Sequence, residues 1–388
     1  MAYKDAKAYL EKHTTVIELV DGDAVVAICP EWQGRVMTSS CEGPEGTSFG
    51  FICKDYIDSG EYDPHFANYG AEDRLWLSPE GGQFSLWFKP GVEQNLDNWF
   101  TPPALNEGPY EVAPGASKTQ CRMTRKMEFE NTSSAKFKLG VTRDVCLLGE
   151  ADIEKLFGGR AAALAKEEGV KKVGYVTVNT ITNEGDPMDK AKGLVSIWIL
   201  GMLNCGPETV VIVPYKPGDE SELGPVVKSD YFGEIPPERL KVLPEAILFS
   251  GDGEFRSKIG TSQKRAKDVL GSYDFESGTL TIVSFSMPED PTQFDYMNNS
   301  WDLPQAEPYV GDVVNSYNDG PPAPGEKGLG AFYEIESLSP ALALDQGESL
   351  THRHRTFHFQ GPPEALAALA KEILGVDLEQ VKREMIAK

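Results

Sequence analysis

Carboxylates and imidazoles crowd the last part of this chain. Glu334 and Glu336 stand in Gly330-Ala-Phe-Tyr-Glu-Ile-Glu-Ser-Leu-Ser-Pro340, and His352, His354 and His358 stand in Leu344-Asp-Gln-Gly-Glu-Ser-Leu-Thr-His-Arg-His-Arg-Thr-Phe-His-Phe359. Both segments alternate residue by residue, which predicts strands. Successive strand side chains point to opposite faces, so Phe332, Glu334 and Glu336 share one face. By the same rule His352, His354, Thr356 and His358 share a face, and three of the chain's five histidines line one side of one strand. The two strands are consecutive and closely joined, which predicts that they pair in one sheet. Meeting across that pair, a carboxylate and an imidazole would supply the base and acid of general acid–base chemistry. The same His-x-His pair with Glu334 or Glu336 opposite could instead hold a transition metal such as Zn²⁺. No complete ligand spacing accompanies it, so neither a metal nor any other cofactor is expected.

Three further segments are dense in groups that recognise sugars. The first, Asp63 to Phe84, carries His65, Asn68, Glu72, Asp73, Arg74, Trp76, Glu80 and Gln83. The second, Asn95 to Phe100, carries Asp97 and Trp99. The third carries Asn299 and Trp301 and runs on through Asp312 and Asn315 to Gly320. Sugars offer hydroxyls to amides, carboxylates and guanidinium groups, and C–H faces to aromatic rings. Asn, Asp and Gly also gather in turns for purely local reasons, which is the plain alternative for each segment. Trp32, Trp87 and Trp198 lie in apolar runs and read as core. His358 near a strand end reads as core or surface, His13 as a residue without a role, and Glu336 as a carboxylate able to pair with a nearby arginine.

These groups need elements to hold them. From Val16 onward, short strands separated by Gly, Pro, Asn and Asp turns dominate, among them 24–29, 83–88, 121–128, 136–148, 173–180, 194–200, 209–214, 246–250 and 279–286. Such spacing argues for an all-β sandwich or barrel rather than βαβ units. No G-x-G-x-x-G opens a helix after a strand, so a dinucleotide site has no support. Helices are predicted over 1–13, 150–156, 159–168 and, as two pieces split at Gly375, over 362–388. Asp377 and Gln380 would form a capping box on the last of them. The stretch 319–328 reads as a rim loop. The chain is therefore expected to form one unit, 1–388, with its core over about 16–360 and a helical clasp over 362–388.

The 388 residues are 40% hydrophobic, and 37 basic against 60 acidic side chains leave a net charge of −23. So acidic a surface repels nucleic acid and anionic membranes. The six scattered cysteines form no C-x-x-C, and no apolar leader or membrane-length run occurs, which predicts a cytoplasmic protein with free thiols. A leader removed from a longer precursor would leave the same sequence.

The strand Phe332-Tyr-Glu-Ile-Glu, the turn Gln346-Gly-Glu and the closing strand His352–Phe359 resemble the C-terminal end of the galactose mutarotase-like (aldose 1-epimerase-like) superfamily. Tyr69-Gly-Ala-Glu-Asp-Arg-Leu-Trp-Leu-Ser-Pro-Glu-Gly-Gly-Gln83 is similar to motifs of branches of that superfamily without a defined function. The resemblance implies a large antiparallel β-supersandwich with short N- and C-terminal helices, Glu334 as catalytic base and Arg74 as a sugar-binding arginine. One departure stands out. Epimerases carry an acid histidine on a central strand, and the comparable stretch here, 193–204, has none. The acid would then be His352, His65 or His354. In an aldose 1-epimerase-like isomerase, Arg74, Asp97 and Asn315 would hold hydroxyls while Trp76, Trp99 or Trp301 stacks. Glu80, Gln83, Asn299, Asp312 and His354 complete the expected substrate contacts. A glycoside-cleaving enzyme would draw its carboxylate pair from Glu80, Asp97, Asp312, Glu334 and Glu336. A sugar-binding protein without turnover would need no acid at all. The expected ligand is a small sugar or an oligosaccharide, and the sequence does not give the oligomeric state.

Overall fold

The computed structural model describes residues 1–323 and 325–386. Its strands form three antiparallel sheets. β1 (Ile17–Asp21), β2 (Ala24–Cys29) and β3 (Arg35–Ser40) make a small sheet in that order. There follow β4 (Arg74–Ser78), β5 (Glu111–Val112), β6 (Gln120–Glu130), β7 (Lys136–Leu147), β8 (Lys171–Asn183), β9 (Ser196–Asn204) and β10 (Thr209–Pro214). The rest are β11 (Leu240–Val242), β12 (Ala246–Ser250), β13 (Ser257–Ser262), β14 (Val269–Asp274), β15 (Thr279–Phe285), β16 (Asp312–Asn318), β17 (Phe332–Leu338) and β18 (Ser349–Gln360). A ten-stranded sheet runs β11-β12-β10-β14-β15-β18-β8-β7-β6-β5, and a five-stranded sheet runs β13-β16-β17-β9-β4.

The two large sheets pack face to face. Val211, Val213, Phe249, Val283 and Phe285 of the larger meet Leu203, Ile259, Val314 and Ile335 of the smaller in one apolar layer. Buried β-branched and aromatic side chains of this kind are what a pleated sheet interface accommodates. The outer face of the ten-stranded sheet presents Val210, Ile212, Leu280, Ile282, Phe357 and Phe359 to the helices Glu150–Leu164, Pro363–Leu374 and Leu378–Met385. The terminal helices follow their apolar stripes, with Leu366, Leu369, Leu374, Leu378 and Val381 buried. Gly375 ends the first of these in the left-handed region at φ 75°, and Asp377 caps the second by accepting from the Glu379 N–H.

Gly201 in β9 marks a close approach of backbone to backbone. A Cβ there would stand 2.4 Å from the Glu72 carbonyl oxygen. Gly201→Ala is expected to cost about 1–3 kcal/mol through overpacking, seen as a lower denaturation midpoint.

Some expectations change. Residues 83–88 form turns rather than a strand, because the Ser85 hydroxyl accepts from the Trp87 and Phe88 N–H groups and satisfies them locally. The two helices expected over 150–168 run together as Glu150–Leu164, with Gly158 at φ 89° interrupting the helical geometry.

The larger correction concerns β17 and β18, which do not pair. β17 lies between β16 and β9 in the five-stranded sheet, and β18 lies between β15 and β8 in the other. Both edges of each strand are taken by other partners: β16 and β9 flank β17, while β18 is flanked by β8, from Ser349↔Thr182 to Gln360↔Lys171, and by β15. The chain between them crosses from one sheet to the other. Ser337, on the inner side of β17, stands 2.8 Å from His352 Nε2 and 2.9 Å from His354 Nδ1. Alternation then puts Glu334 and Glu336 on the outer side. The carboxylates and imidazoles occupy opposite faces of β17.

Candidate functional site

Strand register lays the outer face of the five-stranded sheet out in rows. Lys258, Tyr317, Glu334 and Met202 form one row across β13, β16, β17 and β9. Gly260, Asn315, Glu336, Leu200 and Arg74 form the next, reaching β4. Leu338, Trp198 and Trp76 form a third. Two acids, two bases and two indoles thus share one surface.

The contacts follow from this layout. Arg74 Nη2 donates to Glu334 Oε1 at 2.9 Å, and its guanidinium lies 4.4 Å from the centre of the Trp76 ring and 5.2 Å from that of Phe66. Arg74 Nε and Nη1 are buried with no hydrogen-bond partner, as is the Trp76 indole nitrogen. Lys258 Nζ donates to both oxygens of Glu336, at 3.1 and 3.0 Å, and Trp198 Nε1 donates to Glu336 Oε2 at 2.8 Å. Beside them Trp99 Nε1 donates to Glu80 Oε1 at 2.8 Å. Asp312 Oδ2 accepts from the Tyr231 hydroxyl and, at 3.0 Å, from Asn315 Nδ2.

Such groups cost free energy to bury, and packed apolar side chains would often be at least as stable. Burial pushes the Glu336 carboxyl above the usual carboxylate range, with the Lys258 ammonium pulling it back and Glu334 pushing it further. Burial also raises Glu80, against the pull of Lys258 and the Trp99 hydrogen bond. For Lys258, burial alone would lower the pKa, and the carboxylates Glu336, Glu80 and Glu334 more than reverse it. Shifts produced by burial and specific charges in one place are a mark of functional sites, though structural ion pairs show them too.

The remaining expected site residues divide. Trp301 is half-buried and packs edge-on against Phe88. Asn299 and Gln83 brace loops: Asn299 Oδ1 accepts from Ser78 Oγ and the Glu80 N–H, while Gln83 bonds both ways with the Gln305 backbone. Asp97 lies exposed in a short turn of 3-10 helix. The His65 ring is tied to the Trp99 carbonyl at 2.6 Å and stacks on Phe100 at 4.0 Å, without a bond to Glu334 or Arg74.

His352 and His354 are corrected as acids by the sheet crossover, which puts them inside the sandwich. His358 is buried there too, 2.8 Å from Glu72 Oε1. Alongside runs a second polar network. Arg143 pairs with Asp73, Thr177 Oγ1 donates to Asp73 Oδ2 at 2.8 Å, and all three residues are fully buried.

Burial pushes the His352 ring down to about 3, with His354 and Arg355 adding to it. Burial pushes His354 down to about 4, Asp73 resisting and Arg143 and Arg355 assisting. Both are neutral in the fold and titrate near their ordinary 6.5 when unfolded. Between those values the unfolded chain binds more protons, so stability is full above about pH 6.5 and is lost as pH falls toward 4 and 3. Urea midpoints should therefore drop steadily from pH 6.5 to 4, and a flat profile would contradict the neutral assignment.

Sequence reasoning missed Lys258 and Tyr231; Trp198 lies in the core as expected, and its indole N–H also reaches Glu336. The available signal was Lys258 itself, the one charged side chain in the strand Ser257–Ser262.

Comparison with known proteins bears on this arrangement. The model of the family described as "Family of unknown function (DUF6786)" matches residues 1–385. The chain belongs to that family. No curated protein matches it. Among solved structures it is similar to a candidate aldose 1-epimerase from Escherichia coli K12, at 12% identity and a TM-score of 0.51, covering 89% of this chain and 98% of that one. It is also similar to a galactose mutarotase-like protein from Lactobacillus casei ATCC 334, at 11% identity and a TM-score of 0.49, covering 89% and 100%. The fold of this family member is the all-β, galactose mutarotase-like supersandwich. Among the described residues, no group of three or more His, Cys, Asp or Glu side chains is placed to hold a metal ion. No helix among them is long and apolar enough to cross a membrane.

Proposed function

We propose that the outer face of the five-stranded sheet binds a carbohydrate and interconverts its anomers, with Glu334 as the base. The observation that carries this reading is the Arg74–Glu334 pair. One carboxylate oxygen is fixed by Arg74, while two further guanidinium nitrogens, Nε and Nη1, are buried without partners beside it. Buried donors left unmatched by protein are costly, and sugar hydroxyls are acceptors that would satisfy them. Trp76 and Trp198 are packed into the core, so stacking on a pyranose falls to the half-buried Trp99 and Trp301.

The acid that a histidine supplies in epimerases falls here to Glu80. Its pKa is raised, and Trp99 binds one of its oxygens. Glu336 serves less well, because Lys258 and Trp198 occupy both of its oxygens. Ring opening needs a base and an acid at two oxygens of one carbon, which carboxyl groups on one side of the sugar can reach. Glycoside cleavage needs carboxylates on opposite sides of the bond, and Glu334 and Glu336 rise from the same strand face.

The test is interconversion of freshly dissolved anomers of a panel of free aldoses, followed by polarimetry. Rates that do not exceed those of Glu334→Gln remove the reading. One observation favours binding without turnover: Arg74, Glu334, Glu336 and Lys258 are each less than a tenth exposed. Saturable sugar binding with no rate enhancement on any member of the panel would select that alternative.

A further inference from the structure

The ten-stranded sheet holds a hollow on its far side. A cavity of about 250 Å³ lies between that sheet and its covering helices. Leu156 and Phe157 of the helix Glu150–Leu164, Ile373 of the helix Pro363–Leu374 and Val269 of β14 give it apolar walls. Arg355 of β18 enters the same cavity, directly opposite Ser284 of β15 in the sheet register.

Arg355 is half-buried, yet among the described residues no hydrogen bond or ion pair engages its guanidinium. The fully buried arginines behave otherwise: Arg35, Arg74, Arg143 and Arg265 all donate to oxygen acceptors. The Ser284 hydroxyl is also buried without a partner. Two donors on adjacent strands thus lack acceptors beside an apolar hollow. Of the acidic residues on the wall, Glu372 is engaged by Arg160 at 3.1 Å, and Asp268 forms no ion pair with Arg355 among the described residues. The Arg355 fork can seat one carboxylate, whereas a second negative charge on the ligand would face Asp268 and Glu372 with no donor of its own, which favours a monoanion.

We propose that this cavity binds a monocarboxylate with a short apolar body. The guanidinium fork takes the carboxylate, and the walls from the two helices take the hydrocarbon. The site is independent of the carbohydrate reading, since it lies on the other sheet and on its outer face.

Isothermal titration calorimetry on the full chain tests it with hexanoate, and with 1-hexanol as the same body without the charge. Wild type should bind hexanoate saturably and at least tenfold more tightly than hexanol. Arg355→Gln should weaken hexanoate at least tenfold and leave hexanol unchanged. Ile373→Trp, which fills the hollow from the helix side, should abolish both. No saturable hexanoate binding, hexanoate no tighter than hexanol, or unchanged affinity in Arg355→Gln would overturn the proposal. Should Arg355→Gln fail to fold, hexanoate binding that survives Ile373→Trp overturns it equally.

Discussion

Glu334→Gln is expected to slow anomer interconversion by roughly 10²–10⁴-fold, the usual worth of a positioned general base. Glutamine keeps the shape of the side chain and the Oε1 acceptor that Arg74 Nη2 contacts at 2.9 Å, so the fold and the sugar site should persist. What disappears is the ability to take a proton. The KM should move little while kcat falls, because the lost interaction belongs to the transition state. Arg74→Met separates this from simple disruption. It removes the donors offered to the sugar, so it should raise KM as well as lower kcat. A Glu334→Gln protein with wild-type kcat in the polarimetric assay would exclude the carboxylate from the chemistry.

Arg143→Met is expected to destabilise the fold by about 3–5 kcal/mol, because removing one partner leaves the other charge buried and unpaired. Both Arg143 and Asp73 are completely inaccessible, and Asp73 also accepts from Thr177. A loss of that size is a large share of the 5–15 kcal/mol that holds a typical protein together. The double change Arg143→Met with Asp73→Asn should recover part of it, since no net charge is then stranded. Urea midpoints for the two single variants and the double one measure the coupling. An Arg143→Met stability, read from the midpoint and slope, within about 0.5 kcal/mol of wild type, the roughly neutral range for surface changes, would show that water reaches the pair.

Periodicity made much of the fold legible. β2, β10 and β12 begin and end where alternation and turn residues put them, because each is a short apolar run closed by Gly, Pro or Asp. Alternation also gave the faces of β17 correctly, so Glu334 and Glu336 could be grouped from sequence. Which sheet each strand joins was not legible. That depends on partners distant in sequence: β15 and β8 take both edges of β18, and β16 and β9 both edges of β17. The site inherited the error. His352 and His354 were matched to the right strand and the wrong compartment, while Lys258 reaches Glu336 from a strand about eighty residues earlier, a pairing no local pattern encodes. His65 looked available because a histidine in a polar, Gly-rich stretch carries no sign that a backbone carbonyl will hold its ring.

β17 acts as a party wall. Residues 334 and 336 furnish the room on one side, while 333, 335 and 337 are keyed into the masonry on the other, Tyr333 and Ile335 through the apolar layer and Ser337 through two imidazoles. A change of substrate preference that had to move this strand would disturb both rooms at once. Arg74 and Lys258 hold the strand's carboxylates, so removing either leaves Glu334 or Glu336 buried without its cation. Tuning is cheaper from Trp99, half-buried in a loop that only leans on the wall, and attempts to redirect the site should begin there and leave the strand untouched.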